Sequence, residues 1–194
     1  MNIDAKFEKI SKYAEDPTVI IPTRKTKQSA GYDFCAAEDV VLYPYNGDEW
    51  LDNIARGATR RFESLDDYDN AMPLTLEDAA SVIKYGNCKV PLVPTGIKCK
   101  IPDGYYLQLS VRSSLPLKHW LVLGNGVGII DADYYNNPDN EGHIYFQIIN
   151  LAPFPIKIQR GECFGQGILL PYCACADEEE VTTERDGGFG STSE

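Results

Sequence analysis

The chain has 194 residues, 43% of them hydrophobic, with 16 glycines, 12 prolines and a formal net charge of −11. That length supports one domain with a sizeable core and is short for two. The acidic balance argues against a nucleic-acid partner, which needs clustered Lys and Arg to hold its phosphates, but not against a small phosphate ligand served by a few local cations or a metal ion.

At the N-terminus, Ile3, Phe7 and Ile10 recur at helical spacing and the pattern stops before Pro17, which predicts a short amphipathic helix or arm. From Thr18 onward the pattern changes to short strands. A segment from about 47 to 86 interrupts them: it is acidic, Thr75-Leu76-Glu77-Asp78 can cap a helix, Leu76, Ala79, Ala80 and Ile83 share a face, and Gly86 suits a C-terminal cap. This predicts a helical insertion. The run YYLQLSVR at 105–112 alternates, with Tyr105, Leu107, Leu109 and Val111 on one face. HIYFQIIN at 143–150 and PIKIQ at 155–159 are strand-like as well, and turns at Pro102-Asp103-Gly104 and Arg160-Gly161-Glu162 separate such runs. Many short strands with frequent turns predict an all-β sandwich, barrel or jelly roll. After about Asp177 the chain is acidic, then glycine-rich, with little to bury, so a mobile terminus is expected.

No stretch approaches the roughly 20 apolar residues that span a bilayer, and the N-terminus lacks the basic and apolar segments of a signal peptide. A cytoplasmic protein with no membrane partner is the expectation. Six cysteines form no C-x-x-C pair, and the histidines are only His119 and His143. Free, reduced thiols and no structural zinc are therefore expected.

Three segments could carry chemistry. Arg112-Ser113-Ser114 leaves the end of a well-patterned strand, and a guanidinium with two hydroxyls suits phosphate oxygens. GNGVGIIDADYY at 124–135 has three glycines in five residues, which predicts a hairpin offering bare backbone N–H and C=O groups to a flat ligand. Alternation would put Asp131 and Asp133 on one face; either carboxylate could serve as a general base toward water, with Tyr134 packing on a ligand ring. In the tail, Gly187, Gly188 and Gly190 surround Phe189 with Arg185 upstream, so an aromatic ring and a guanidinium could close over a ligand. There is no G-x-x-x-x-G-K-[ST], H-E-x-x-H or G-x-S-x-G, and the glycines at 124–128 lead into an apolar strand and not a helix.

In chain order, AGYDF at 30–34, RSSLP at 112–116, GNGVGIIDADY at 124–134, RGECFGQ at 160–166 and RDGGFGST at 185–192 resemble the five motifs of the trimeric dUTP diphosphatase (dUTPase) family. The resemblance implies a dUTPase-like jelly-roll or β-clip barrel over residues 1–194, with the insertion at about 47–86 and a flexible C-terminal lid at about 178–194. It implies dUTP as substrate, Mg²⁺ as cofactor and a homotrimer whose active sites are shared between subunits. Asp131 would then activate water for attack on the α-phosphorus. Tyr134 would lie beneath the deoxyribose and exclude a 2′-hydroxyl. Asn125 and Gly126 would read the uracil, with Ile130 among the substrate-binding positions. Arg112, Ser113, Ser114 and Gln166 would hold phosphates; Arg185 would reach the γ-phosphate, Phe189 would stack on uracil, and Gly190 and Ser191 would complete the lid. Asp33 would support the metal through water.

The chain departs from the family pattern in its helical insertion, in the longer run YNNPDNEGHI after Tyr134, and in the tail. There Arg185 precedes Phe189 by four positions where many members have five, and Ser193 replaces a usual glycine. The rival of the same fold is a dCTP deaminase, alone or combined with the diphosphatase. That chemistry needs a glutamate where this chain has Gln147. A rival of another class is a protein-binding role for the insertion and the 135–142 loop.

Overall fold

The computed structural model describes residues 3–45 and 91–177. Among them, eleven strands follow in chain order: β1 (Lys6–Lys9), β2 (Tyr32–Cys35), β3 (Val40–Leu42), β4 (Leu92–Pro94), β5 (Ile97–Lys100), β6 (Tyr105–Val111), β7 (Leu121–Leu123), β8 (Gly128–Ile130), β9 (Tyr145–Asn150), β10 (Ile156–Ile158) and β11 (Cys163–Pro171). Short helical turns at Ser11–Tyr13, Leu115–His119 and Ala132–Tyr134 punctuate them. The fold is all-β and jelly-roll-like. The insertion expected at 47–86 and the C-terminal lid lie outside the described residues.

A four-stranded sheet runs β2-β11-β6-β8 and a three-stranded sheet β4-β9-β7, with the ribbons β1-β5 and β10-β3 beside them. Every ladder is antiparallel. The alternation in β6 is realised: Leu107 and Leu109 are buried opposite Leu169 and Gly167, while Tyr105 and Val111 pack partly buried on the same core. Rings from both sheets meet in that core, with Phe146 of β9 lying 5.5 Å from Phe34 of β2 and 5.1 Å from Phe164 of β11. Gly165 is small because the sheets approach closely there. A Cβ at that position would sit 2.5 Å from the Phe146 ring.

Two expectations change. The N-terminal helical spacing forms strand β1, with Phe7 opposite Cys99 on β5 and its ring 5.1 Å from Tyr32 and 5.5 Å from Phe34. A helix of this length is marginal in water, whereas the β5 edge supplies a ladder and the aromatic cluster buries the ring. The thiols are not all free. Cys35 and Cys163 are joined by a disulfide across 128 residues of sequence, because they stand directly opposite on β2 and β11 with Cα atoms 3.8 Å apart. Cys99, Cys173 and Cys175 are free, and burial pushes the Cys99 thiol up to about 12.

Candidate active site

Strand register, more than any local motif, assembles the polar cluster. On β11, Gln166 stands opposite Asp33 of β2 on one side and Ser110 of β6 on the other. Its Nε2 donates to Asp33 Oδ1 at 3.2 Å. Arg112 follows the end of β6, donating its backbone N–H to Phe164 O at 2.9 Å and Nη1 to Cys163 O at 3.0 Å. Its Nε lies 3.9 Å from Asp33 Oδ2, and its side chain is 39% exposed. Asp33 itself is 4% exposed, and Oδ2 has no hydrogen-bond partner. The Arg112 guanidinium offsets part of the cost of burying that oxygen, and the oxygen's unmade hydrogen bonds leave room for a water or a further cation. Leu115 N donates to Arg112 O at 2.9 Å, closing a turn in which Ser113 is exposed and Ser114 half-buried.

The outer strand of the same sheet, β8, pairs Ile130 with Leu107 and Gly128 with Leu109. The glycine segment before it is not a hairpin. β7 pairs with β9 and β8 with β6, so residues 124–127 cross from one sheet to the other. This turn is closed by Gly126 N donating to Leu123 O at 3.0 Å, and Gly126 has φ +71°, a conformation that suits glycine. Asn125, Gly126 and Val127 are exposed, with Gly126 N and Val127 N engaged inside the turn, the latter to Asn125 O at 2.8 Å. Gly124 N donates to Gln147 O at 2.7 Å, which puts Gln147, an amide and not a carboxylate, directly beside the turn.

Strand alternation does not reach Asp131 and Asp133. β8 ends at Ile130, and Asp131 (φ −80°, ψ 160°) opens the turn Ala132–Tyr134. Asp131 is consequently half-buried and Asp133 exposed, which removes the shared face that alternation predicts. Tyr134 is 5% exposed; its hydroxyl donates to His143 O at 3.2 Å and accepts from Asn140 Nδ2 at 2.8 Å. Arg185, Phe189, Gly190 and Ser191 lie outside the described residues.

Sequence patterns did not single out Asn140, Gly142 or His143. A signal was present in Asn140-Glu141-Gly142, an Asn side chain two residues before a glycine. His143 is buried, accepts the Gly96 N–H at Nε2 at 2.8 Å, and is pushed down to about 4 by burial. It lines a separate pocket of about 550 Å³ with Tyr13, Glu38, Asn140, Glu141 and Tyr145, which none of the described candidate substrate residues lines. Among the described residues no three His, Cys, Asp or Glu side chains converge on a metal position, and no helix is long and apolar enough to cross a membrane.

The described residues thus form an all-β, jelly-roll-like domain with polar side chains gathered along one sheet, beside an exposed glycine turn. The dUTPase family model matches residues 77–193, more than half of the chain. The deoxyuridine 5'-triphosphate nucleotidohydrolase of Lactococcus lactis subsp. lactis (strain IL1403) is 36% identical over 187 residues, 96% of this chain and 95% of that protein. The enzyme of the same name from Rickettsia peacockii (strain Rustic) is 35% identical over 128 residues, 64% of this chain and 76% of that protein. The crystal structure of dUTPase from Streptococcus mutans superposes with a TM-score of 0.62 at 32% identity, over 87% of this chain and 97% of that one. The dUTPase from phage phi11 of S. aureus shares the fold at a TM-score of 0.57 and 19% identity, over 97% of this chain and 99% of that one. The chain belongs to the dUTPase family.

Proposed function

We propose that this protein hydrolyses dUTP to dUMP and pyrophosphate, with Asp131 as general base. The observation that carries the reading is the register of one sheet: Asp33, Gln166 and Arg112 meet on neighbouring strands, and β8 of that sheet leads directly into Asp131 and Tyr134. Asp131 accepts a proton from water as the water oxygen bonds to the α-phosphorus and the bond to the bridging oxygen breaks, releasing pyrophosphate. Arg112, Ser113, Ser114 and Gln166 bind the phosphates, the guanidinium by its fork of donors. Asn125 and Gly126 meet the uracil edge through backbone groups, next to Ile130. Tyr134 forms the floor under the deoxyribose. Arg185 and Phe189, with Gly190 and Ser191, cover the nucleotide, and the family match reaches residue 193.

Mg²⁺ is the cofactor in this reading. Among the described residues Asp33 Oδ2 makes no hydrogen bond and has the Arg112 guanidinium near it, at 3.9 Å, which fits a carboxylate that would also meet a hydrated cation, the nucleotide's own oxygens supplying the rest of the shell. When bound, the ion neutralises charge on the triphosphate and favours its reactive geometry. One solved relative, the phage phi11 dUTPase, is described with a structural Mg(II) ion. The active assembly in this reading is a cytoplasmic homotrimer whose sites draw residues from neighbouring subunits.

The test is Asp131→Asn. Loss of a positioned general base should lower dUTP turnover by roughly 100- to 10,000-fold, with nucleotide binding retained in a titration. Unchanged turnover would show that another group is the base.

A further inference from the structure

Four residues after the carboxylate proposed as base, a run of eight residues folds into a compact loop. The segment 135–142 closes on itself: Asn136 N donates to Glu141 O at 3.2 Å, and Glu141 N to Asn137 O at 2.7 Å. It also closes on Tyr134. Asn137 N donates to Tyr134 O at 3.1 Å, and Gly142, at φ +76°, comes so near that a Cβ there would lie 2.4 Å from Tyr134 O. Outward ties hold the loop to β1, to the turn after it and to β5, with Tyr135 bonded to Glu8, Glu141 to Ser11, and Lys98 to Asn136 Oδ1 at 2.7 Å.

From this loop one side chain reaches the Tyr134 hydroxyl. Asn140 Nδ2 donates to it at 2.8 Å, while Asn140 Oδ1 accepts from Gly142 N at 3.0 Å and Asn140 O accepts from His143 N at 3.0 Å. The hydroxyl in turn donates to His143 O at 3.2 Å. Tyr134 is thus fixed at its far end from two sides, by a side chain of the loop and by the backbone where the loop rejoins the core.

We propose that Asn140 is a positioning residue that holds the Tyr134 ring and so sets the preference for 2′-deoxyribose over ribose. This rests on the reading of Tyr134 as the sugar floor. A wall that rejects one added hydroxyl does so only while it stays in place, because such rejection is weak even in a well-formed pocket, and a surface loose by about 1 Å admits the extra atom.

The experiment compares kcat/KM for dUTP and UTP in the full chain, in Asn140→Ala, in Tyr134→Phe and in the double variant, with Tyr134→Ala as reference. A single neutral hydrogen bond predicts that Asn140→Ala raises the relative use of UTP roughly 3- to 10-fold, chiefly through a lower KM for UTP. Tyr134→Phe, which deletes one oxygen, should do the same, and the double variant should be no worse than the stronger single one. Multiplying effects in the double variant would overturn the proposal, since Asn140 would then act through the loop and not through the hydroxyl. An unchanged ratio in Tyr134→Phe would overturn it even if Asn140→Ala failed to fold. If Tyr134→Ala leaves the ratio unaltered, the sugar-floor reading falls and takes the proposal with it; if Tyr134→Ala relaxes the ratio and Asn140→Ala does not, the proposal alone fails.

Discussion

The four-stranded sheet and the loop after Tyr134 hold their polar residues by different means. In the sheet, Asp33, Gln166 and Arg112 are placed by backbone ladders between strands distant in sequence, and the packing behind them tolerates no extra atom at Gly165. Around Tyr134 the placement comes from a side chain close in sequence, Asn140, with backbone closure inside one loop. The first arrangement stands or falls with the fold. The second is local to one loop, and on the proposal that Asn140 positions Tyr134 it is where sugar selectivity would be adjusted.

The largest expected effect within the sheet is on stability. Gly165→Val would force methyl groups against the Phe146 ring, an overpacking that costs about 1–3 kcal/mol, visible as a lower urea midpoint with an unchanged slope. An equally stable variant would mean that the two sheets can part at this point. Next comes Arg112→Ala. Removing a charged hydrogen-bond donor to phosphate should raise KM for dUTP roughly 10- to 100-fold, with Arg112→Lys recovering only part, because an ammonium cannot reproduce the fork. Full recovery by lysine would reduce the guanidinium to a point charge.

A smaller effect concerns His143. Burial holds its imidazole at about 4 against an ordinary 6.5. As pH falls through 6.5 the unfolded chain takes up a proton that the folded chain refuses until near 4. Its contribution to stability is therefore complete above about 6.5 and is lost toward 4. Urea midpoints measured across that window should decline more steeply in the native protein than in His143→Gln, which keeps a neutral acceptor for Gly96 N–H. Parallel slopes would show that His143 is charged in the folded state.

The strands β6, β9 and β10 were legible because alternation and β-branched runs report burial on one face, and the turns at Gly104 and Gly161 because glycine there marks φ of +79° and +82°. What escaped depends on long-range pairing. Helical spacing of Ile3, Phe7 and Ile10 carries no information about the β5 edge that recruits the segment as a strand. Nor could spacing show that Cys35 and Cys163 are direct neighbours, or that 124–127 bridges two sheets where a hairpin was expected. Asp33, Arg112 and Gln166 were identified by their motifs, and the structure gathers them. Asn140 was missed because its meaning depends on a loop closing back onto Tyr134, which no periodicity reports.

The central claim is tested most directly by giving the purified full chain dUTP, dCTP, dTTP and UTP with Mg²⁺ and following pyrophosphate and ammonia. The account predicts strong pyrophosphate release from dUTP alone and no ammonia from any nucleotide. Ammonia from dCTP, or turnover of UTP equal to that of dUTP, would contradict it.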